Sequence, residues 1–310
     1  MADIVVSEFM DEAALRVIPP RWRVRYGPDL VDERERLIEA LADARALIVR
    51  NRTKVDSELI DAAPGLSAVG RLGVGLDNID LDACAARDIA VLPATGANTR
   101  SVAEYVMSAA LSLVRGAYAA NEAMVAGKWP RSRLIGGEIA GRLLGLVGYG
   151  AIARAVAERA RAFGMRIAAH DPYLSDDDPV WTDAERLDWD TLIASVDVLS
   201  LHVPLTTETR NLIDGAAIAR MKSDAVLINT ARGGIVDEAA LAAALRVGHL
   251  GGAALDVFET EPLPRTEAYR FDGIANLILT PHIAGVTEEA NIRVSRMTVE
   301  NVLKILESRS

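Results

Sequence analysis

The sequence predicts an α/β protein whose chain forms two doubly wound parallel sheets. Short apolar segments alternate with amphipathic helical segments along almost the whole chain, which is the order that a parallel sheet requires. The chain has 310 residues, which is long for one core and typical of two domains. Half of the residues are apolar but only 5% are aromatic, and such an aliphatic composition suits strands that are buried on both faces.

The first set of elements lies before residue 98. Its predicted strands are apolar runs bounded by turn-forming residues, at residues 4–7, 46–50, 66–72 and 89–92. Its predicted helices carry their apolar residues on one face, at residues 32–44, 57–63 and 81–87. Gly73-Val74-Gly75 forms a turn that exposes backbone groups.

A long helix is predicted next, from about Thr99 to Ala126. This stretch contains no proline and only one glycine, Gly116, which a helix can tolerate. At roughly 28 residues the helix would be about 40 Å long. It is therefore long enough to cross from one domain to another.

The second set of elements begins at residue 143. Its predicted strands are short and apolar, at residues 143–147, 166–170, 197–201, 225–229, 252–255 and 277–279. Its predicted helices lie at residues 151–163, 215–221 and 238–247, and a final amphipathic helix covers residues 286–306. Right-handed crossovers between parallel strands place these elements in doubly wound sheets.

Charge and cysteine content exclude several classes of partner. The net charge is −10, so bulk charge attracts neither nucleic acid nor an anionic membrane surface. The one cysteine, Cys84, can form no intrachain disulfide, which indicates a reducing compartment. The N-terminus lacks a basic region, and no apolar run reaches the roughly 18 residues of a membrane span. We expect a cytoplasmic protein with no metal site, since no metal-ligand spacing is present.

A glycine-rich turn after an apolar strand predicts a dinucleotide site. The turn is Gly148-Tyr149-Gly150-Ala151-Ile152-Ala153, and a predicted helix and a second strand follow it. Gly148 allows the tight turn, Gly150 lets the backbone approach a pyrophosphate, and Ala153 is small enough for close packing of helix on strand. The helix N-terminus then offers free N–H groups to the phosphates.

Asp171 ends the next strand, 18 residues after Ala153. A carboxylate there accepts hydrogen bonds from both ribose hydroxyls and repels a 2′-phosphate, so NAD is expected rather than NADP. These features predict a Rossmann NAD-binding domain over residues 98–284. Because the turn lies in the middle of the chain, we expect that domain to be inserted into a flavodoxin-like substrate domain formed by residues 1–97 and 285–310.

Three ionisable residues follow predicted strands in the second half of the chain. They are Arg232, Glu261 and His282, and ligands of such sheets bind beyond the carboxyl ends of the strands. Arg232 can hold the carboxylate of a 2-keto acid through paired hydrogen bonds and polarise the carbonyl. His282 can donate a proton to the developing alkoxide, and Glu261 can orient the imidazole and stabilise its charged form.

An ordered set of motifs resembles the D-2-hydroxyacid dehydrogenase family, which includes phosphoglycerate, glycerate and D-lactate dehydrogenases. The resemblance covers almost the whole chain, through residues 73–80, 98–104, 148–153, 202–206, 229–234, 256–258 and 281–285. It implies that Arg232, Glu261 and His282 form a catalytic trio. The departure in the fingerprint is Ala153, where glycine is usual.

The resemblance also implies which residues bind the cofactor and the substrate. The expected NAD contacts are Gly148, Tyr149, Gly150, Ala151, Ile152, Asp171, Val203, Pro204, Thr230, Ala231, Arg232, Asp256, His282 and Gly285. The expected substrate contacts are Arg50, Val74, Gly75, Asn98, Ser101, Arg232 and His282. The backbone groups of Val74 and Gly75 would hold the substrate carboxylate.

The motifs leave the side chain of the acid open, but several arginines favour an anion on C3. They lie in or near predicted loops, at Arg50, Arg52, Arg71, Arg100, Arg131 and Arg133. An arginine cluster suits a phosphate or sulfonate, so 3-phosphoglycerate and 3-sulfolactate are the leading substrates, ahead of glyoxylate and hydroxypyruvate. If most of these arginines are ordinary surface residues, that preference disappears.

Two other functions compete with this one. Formate dehydrogenase resembles the same family but carries Gln where Glu261 stands, which argues against it. An NAD-sensing binding protein of the same fold would retain the trio without catalysis, although such proteins add partner-binding tails that we do not expect here. We also expect no C-terminal regulatory domain, because the chain ends soon after its last predicted helix. The long helix after Thr99 and the segment through Gly136-Gly137 are expected to form a homodimer contact.

Overall fold

The computed structural model describes residues 2–118 and 120–309. The chain forms two compact units, of which unit 1 consists of Met1–Asn98 and Val286–Ser310 and unit 2 of Thr99–Gly285. Each boundary lies one residue after the boundary expected from the sequence, so Asn98 belongs to unit 1 and Gly285 to unit 2.

Strands and helices alternate along both units. In chain order they are β1 (Ile4–Val6), β2 (Val24–Tyr26), α1 (Arg34–Leu41), β3 (Ala46–Val49), α2 (Ser57–Asp61), β4 (Ala68–Arg71), α3 (Leu81–Ala86), β5 (Ala90–Pro93), α4 (Thr99–Arg115), α5 (Asn121–Val125), β6 (Leu143–Val147), α6 (Ala151–Ala162), β7 (Arg166–His170), β8 (Glu185–Arg186), α7 (Trp189–Ser195), β9 (Val198–Leu201), α8 (Gly215–Arg220), β10 (Val226–Asn229), α9 (Glu238–Arg246), β11 (Gly252–Leu255), α10 (Arg265–Ala268), β12 (Leu277–Leu279) and α11 (Glu288–Ser308). Short 3₁₀ helices lie at Glu12–Val17, Pro28–Asp32, Arg131–Leu134, Pro179–Asp183 and Tyr269–Phe271.

Unit 1 contains a parallel five-stranded sheet in the order β2-β1-β3-β4-β5. This is the strand order of a flavodoxin-like doubly wound sheet, as the sequence predicted. The central strand β3 is completely buried, because helices cover both of its faces. Leu47 packs with Leu41 of α1 on one face, and Ile48 packs with Val302 of α11 on the other.

Unit 2 contains a parallel seven-stranded sheet in the order β12-β11-β10-β9-β6-β7-β8. The strand order reverses between β6 and β9, and ligands of doubly wound sheets bind at such a switch point. Helices α4 and α6 cover one face with residues such as Val106 and Ala157. Helices α7, α8 and α9 cover the other face, where Leu192, Ile218 and Leu241 are buried. The predicted Rossmann unit inserted within the other unit is confirmed.

The long predicted helix from Thr99 to Ala126 was wrong. Helix α4 ends at Arg115 because Gly116 takes a φ of +62°, a left-handed conformation that terminates helices. The chain returns to the same place at Gly137, whose N–H donates to Val114 O at 2.9 Å. Residues 116–118 and 120–135, here called the arm, therefore leave the helix end and come back to it.

Other boundaries also differ from the prediction. The helix expected over residues 32–44 is α1, eight residues long, with a 3₁₀ helix before it. Strand β2 and helix α7 were not predicted at all. Across residues 2–118 and 120–309, none of the helices is both long and apolar enough to cross a membrane.

Candidate active site

The glycine turn joins β6 to α6 at the switch point of the sheet in unit 2. Gly148 has a φ of +80°, and a Cβ there would lie 2.7 Å from the carbonyl oxygen of His202. Only glycine fits both the conformation and the space. Ala153 is completely buried in the core between α6 and the sheet, so the small third residue of the fingerprint allows close packing.

Asp171 lies beside this turn, immediately after β7. Its Oδ2 accepts a hydrogen bond from the Tyr149 N–H at 2.9 Å, and its Oδ1 accepts one from the Tyr173 N–H at 3.0 Å. Each carboxylate oxygen is thus oriented by one backbone donor, and each has a second lone pair that can accept another bond.

The turn and the neighbouring strand ends fit a dinucleotide. Gly150 is the N-cap of α6, makes no side-chain cap bond, and would carry a Cβ with no described atom within 4 Å. The backbone at Gly150 is therefore open to the close approach of a pyrophosphate, and the start of α6 has N–H groups that can bind it. At the end of β10, the Thr230 Oγ1 is buried without a hydrogen-bond partner among the described residues. A buried hydroxyl in that state is suited to a ligand.

Val203 and Pro204 follow β9, next to the glycine turn. A Cβ on Gly148 would lie 3.0 Å from Val203 Cγ1, so this loop forms one wall of the turn. His202 in the same loop shares a hydrogen bond of 3.0 Å with Ser200 through Nε2. Burial lowers the pKa of His202 to about 4, so the imidazole is neutral at physiological pH.

Arg232 stands in a tight loop after β10. The buried Asn229 side chain fixes this loop, since its Oδ1 accepts from the Ala231 N–H at 3.0 Å and its Nδ2 donates to Arg232 O at 2.9 Å. The Arg232 guanidinium donates to Ala231 O at 2.6 Å. The loop conformation is therefore set by the residue that ends the strand.

The loops that carry Arg232 and Glu261 pack directly on each other. A Cβ on Gly233 would lie 1.8 Å from Phe258 O, so the two backbones touch and any side chain at position 233 would separate them. Glu238, at the start of α9, accepts a hydrogen bond from the Glu259 N–H at 2.8 Å through Oε1. Burial raises the pKa of Glu238, although the bond from Glu259 and the charge of Arg270 oppose that rise.

Glu261 and His282 form the central contact of the site. His282 Nδ1 lies 2.7 Å from Glu261 Oε2, and Glu261 Oε1 accepts a hydrogen bond from the Phe258 N–H at 3.0 Å. Burial of the Glu261 carboxyl opposes its ionisation, but the bonds from His282 and Phe258, together with the charges of His282 and Arg232, outweigh burial. They lower the pKa of Glu261 below its ordinary value of 4.5. The His282 imidazole and the Arg232 guanidinium thus both act on the Glu261 carboxylate within unit 2.

Asp256 holds the turn that carries His282. Its Oδ1 accepts from the Ile283 N–H and its Oδ2 from the Ala284 N–H, both at 2.8 Å, and its backbone carbonyl accepts from the His282 N–H at 2.8 Å. His282 itself has a φ of +56°, which is uncommon for a residue with a side chain. Asp256 was predicted as a cofactor contact; its carboxylate supports the histidine turn, which ends at Gly285, the last residue of unit 2.

Four predicted substrate residues lie in unit 1. Arg50 follows β3, and the Val74 and Gly75 turn follows β4, so these residues lie at the carboxyl ends of neighbouring strands. Asn98 is the last residue before unit 2, and its Oδ1 is buried without a hydrogen-bond partner in the described chain. Ser101 belongs to unit 2, where it is buried on α4.

The arginines expected to bind a second anion do not form one cluster in unit 1. Arg71 ends β4 and pairs in register with Val49, the residue before Arg50. Arg50 donates to Phe9 O and to Asn291 Oδ1, each at 3.2 Å, and burial lowers the pKa of Arg50 while the charge of Glu8 opposes that shift.

The other predicted arginines are placed differently. Arg52 forms an ion pair with Asp32. Arg100 is exposed on α4, and Arg131 and Arg133 are exposed on the arm of unit 2. Arg50 and Arg71 are thus the two members that lie at the carboxyl ends of neighbouring strands in unit 1.

Sequence reasoning missed the residues that support the site. Asn229 ends β10, Thr280 follows β12 and Glu238 begins α9, and of these Asn229 and Glu238 are buried. A polar residue at the end of an apolar strand, as in the run that ends with Asn229, was the available signal. Glu8 is a further supporting residue that sequence reasoning missed. Its buried carboxylate accepts hydrogen bonds from the backbone N–H groups of Arg50, Arg52 and Thr53.

Comparison with known proteins gives matches over the whole chain. Residues 107–284 match the family model of the D-isomer specific 2-hydroxyacid dehydrogenase, NAD binding domain. The (S)-sulfolactate dehydrogenase of Chromohalobacter salexigens is 56% identical over 311 residues, which is 100% of each chain. A D-3-phosphoglycerate dehydrogenase of Mycobacterium bovis is 40% identical over 96% of this chain and 56% of its own length, so this chain spans little more than half of that relative.

A solved structure matches equally broadly. The D-lactate dehydrogenase of Aquifex aeolicus, in complex with NAD and lactic acid, superposes with a TM-score of 0.82 at 28% identity. The match covers 98% of this chain and 95% of that chain.

Proposed function

The chain belongs to the D-isomer specific 2-hydroxyacid dehydrogenase family, and we propose that within this NAD-dependent family it interconverts (S)-sulfolactate and 3-sulfopyruvate. The hydrogen bond between His282 and Glu261, beside the positive charge of Arg232, carries this proposal. It provides a proton-transfer group and an anion-binding group at the switch point of a dinucleotide-binding sheet. The identity of 56% to a sulfolactate dehydrogenase over both whole chains supports the choice of substrate.

Sulfolactate, phosphoglycerate and lactate, the acids for which the relatives are named, share one arrangement of groups at C2. In sulfolactate the sulfur of the C3 substituent gives that arm a higher priority than the carboxylate, whereas in phosphoglycerate and lactate the carboxylate ranks higher. The same spatial arrangement is therefore called (S) in sulfolactate and (R), or D, in phosphoglycerate. A D-isomer specific site is thus consistent with an (S)-configured sulfonate.

Proton transfer is assigned to the Nε2 atom of His282. The pKa of Glu261 lies below 4.5, so at neutral pH its carboxylate can only accept hydrogen bonds. His282 Nδ1 must therefore carry the hydrogen that bonds to Glu261, and Nε2 is the nitrogen that exchanges a proton with the substrate oxygen. During oxidation of the hydroxy acid Nε2 takes the hydroxyl proton, and during reduction of the keto acid it returns that proton.

Arg232 is assigned to the substrate carboxylate and the C2 oxygen. Its guanidinium can form paired hydrogen bonds with a carboxylate, and its charge favours the oxygen as negative charge develops there. Backbone N–H groups of Val74 and Gly75 and the Asn98 and Ser101 side chains are proposed as further substrate contacts. Arg50 is proposed to bind the C3 sulfonate, and the positive charge of Arg71 is proposed to contribute to that binding.

Bound NAD would supply the hydride acceptor for oxidation at C2 of the hydroxy acid, and NADH the hydride donor for reduction of the keto acid. Unit 2 is proposed to hold the cofactor through the Gly148–Ile152 turn, Asp171 and Thr230, with further contacts from Val203, Pro204, Ala231, Asp256 and Gly285. Unit 1 is proposed as the substrate domain. The reducing cytoplasm is the proposed compartment, which the single, buried and unpaired cysteine Cys84 supports.

A substrate panel tests this proposal. We expect purified protein to oxidise NADH with 3-sulfopyruvate at a kcat/KM at least about tenfold above that with pyruvate or glyoxylate, because those acids lack the second anion. The product should be (S)-sulfolactate, and (R)-sulfolactate should not reduce NAD. Equal kcat/KM values for sulfopyruvate and pyruvate would remove the second-anion assignment, and no NADH oxidation with any keto acid would favour a binding protein.

D-3-phosphoglycerate is the second candidate. The arginines at the ends of β3 and β4 suit a phosphate as well as a sulfonate, and the M. bovis relative is named for that substrate. Phosphohydroxypyruvate therefore belongs in the panel. A higher kcat/KM for it than for sulfopyruvate would make D-3-phosphoglycerate the preferred substrate and sulfolactate the second candidate.

We also propose that the protein forms a homodimer through the arm. The arm exposes large apolar side chains, with Val125 91% exposed, Ile135 81%, Trp129 77% and Tyr118 74%. Apolar residues concentrated on one excursion of the chain are typical of a protein–protein interface. A monomer in sedimentation at micromolar concentration would contradict this assignment.

A further inference from the structure

A hydrogen-bonded chain runs from helix α4 to the turn that carries His282. The Tyr105 hydroxyl lies 2.5 Å from Thr280 Oγ1, and Thr280 Oγ1 lies 2.6 Å from Asp256 Oδ1. Asp256 in turn accepts the N–H groups of Ile283 and Ala284. All of these residues belong to unit 2, in which Tyr105 lies near the first residue and the turn lies at the last.

The direction of each hydrogen bond follows from the chemistry of the groups. An ionised carboxylate only accepts, so Thr280 must donate its hydroxyl hydrogen to Asp256. The Thr280 oxygen can then only accept from Tyr105, so the phenol is the donor. Burial raises the pKa of Tyr105, which keeps this donor protonated.

The turn needs this support because its conformation is costly. His282 adopts a left-handed φ of +56°, which is sterically unfavourable for a residue with a side chain. Its N–H donates to Asp256 O at 2.8 Å and to Thr280 O at 3.0 Å. Thus Asp256 and Thr280 together receive the N–H groups of three consecutive residues of the turn, 282 to 284.

We propose that Tyr105 and Thr280 are positioning residues for the reaction, which fix the Asp256 carboxylate and through it the His282 imidazole. Neither is expected to touch the substrate. The two hydroxyls set the position of Asp256 Oδ1, and Asp256 sets the turn whose geometry brings His282 Nδ1 to Glu261. This inference rests on the proposed role of His282 as the proton-transfer residue.

Isosteric substitutions test the chain of hydroxyls. Thr280→Val removes the donor to Asp256 and should lower kcat about 10- to 100-fold, since small displacements of a reacting group have effects of that size. The fall in kcat should exceed any rise in the dissociation constant of NAD, because the glycine turn and Asp171 are untouched by the substitution. Thr280→Ser keeps the hydroxyl and should restore most of kcat.

A double-mutant cycle tests the link to Tyr105. Tyr105→Phe alone should lower kcat about two- to tenfold, the effect of one neutral hydrogen bond. In the Thr280→Val background the same substitution should lower kcat no further, because its partner is already missing. Additive effects of the two substitutions would contradict the proposed chain.

A spectroscopic measurement separates this inference from the proposed function. The chain has four histidines, so ¹⁵N-histidine labelling with a His282→Ala reference spectrum identifies the His282 Nδ1 signal. Thr280→Val should shift or broaden this signal while the His170 and His249 signals stay in place. An unchanged Nδ1 signal, with kcat falling only as the melting temperature falls, would show a purely structural role and overturn the inference. If wild-type protein turns over no keto acid, the proposed function fails, but the Nδ1 signal still tests the positioning.

Discussion

The Nδ1 atom of His282 lies 2.7 Å from Oε2 of Glu261, although 21 residues separate them in the chain. A left-handed turn supported by Asp256 places the histidine, and the Phe258 N–H orients the carboxylate. This contact determines which imidazole nitrogen carries hydrogen and which can exchange a proton.

Replacing Glu261 by Gln should lower kcat by about 10²-fold or more, since an amide neither stabilises the charged imidazole nor fixes its tautomer. Because the pKa of Glu261 lies below 4.5, the wild-type protein carries this carboxylate in its ionised form throughout the neutral pH range. Steady-state NADH oxidation with the best keto acid measures the fall in kcat. Glu259→Gln is the matched control, since Glu259 lies two residues away and its side chain pairs with Arg210 at 3.7 Å. A kcat within twofold of wild type in Glu261→Gln would refute the assigned role.

The two glycines of the cofactor turn should respond differently to alanine. At Gly148 the positive φ and the approach of His202 O to 2.7 Å should cost about 2 kcal/mol of unfolding free energy or more. At Gly150 the φ of −76° is ordinary and the Cβ meets no described atom, so stability should change by less than about 0.5 kcal/mol. The new methyl should nevertheless weaken NAD binding about tenfold or more, because it fills the approach to the pyrophosphate.

Urea unfolding and NAD titration of both variants measure these effects. Unchanged NAD affinity in Gly150→Ala would move the cofactor away from the start of α6.

The sequence was sufficient for features that local chemistry determines. The glycine turn, Asp171 and the order of the strands follow from residue patterns within a few positions, and the structure contains them. The helix after Thr99 was predicted too long because Gly116 can continue a helix or end it, and only packing decides. Strand β2 has only three residues with Arg25 at its centre, and helix α7 has seven residues, so their sequence patterns are weak.

The supporting residues of the site could not be derived in the same way. Tyr105 and Thr280 are 175 residues apart, and their contact exists only after α4 packs on the sheet of unit 2. Asp256 was expected to contact the cofactor because the family resemblance implies it, and that contact stays a prediction. The bonds that its carboxylate accepts from the turn that follows β12 are visible only in the structure. Such roles depend on side-chain geometry, for which the sequence contains no periodic signal.

The free energy of unfolding should decrease as pH is lowered, because burial keeps the His202 imidazole neutral in the folded protein. Its pKa is lowered from 6.5 to about 4 on folding, so the unfolded chain binds the proton more readily. The free energy of unfolding should therefore decrease as pH falls from 6.5 to about 4, by up to about 3 kcal/mol, and His202 should contribute no further decrease below that range.

Urea unfolding at several pH values, in wild type and His202→Gln, isolates this contribution. In His202→Gln the unfolding free energy should depend less steeply on pH between 6.5 and about 4. His249→Gln is the control and should keep the wild-type dependence; the wild-type His249 imidazole lies 3.0 Å from Ile218 O. The same pH dependence in wild type and His202→Gln would contradict the buried neutral histidine.

Charge on the arm should dissociate the proposed dimer. Trp129→Asp and Ile135→Asp place a carboxylate on side chains that are 77% and 81% exposed in one chain, so the fold of that chain should persist. Sedimentation should show a shift from dimer to monomer at micromolar concentration. Val247→Asp is the control, because Val247 is 79% exposed but lies at the end of α9 and does not belong to the arm. An unchanged dimer in both arm variants would place the interface elsewhere.

The central claim is that His282 exchanges the substrate proton in an NAD-dependent reaction. Its most direct test is the kcat of His282→Ala for keto-acid reduction, measured beside the dissociation constant of NAD. We predict that kcat falls by about 10²- to 10⁴-fold, the usual contribution of general acid–base catalysis, while the NAD dissociation constant stays near the wild-type value. A kcat close to that of the wild type would contradict the account.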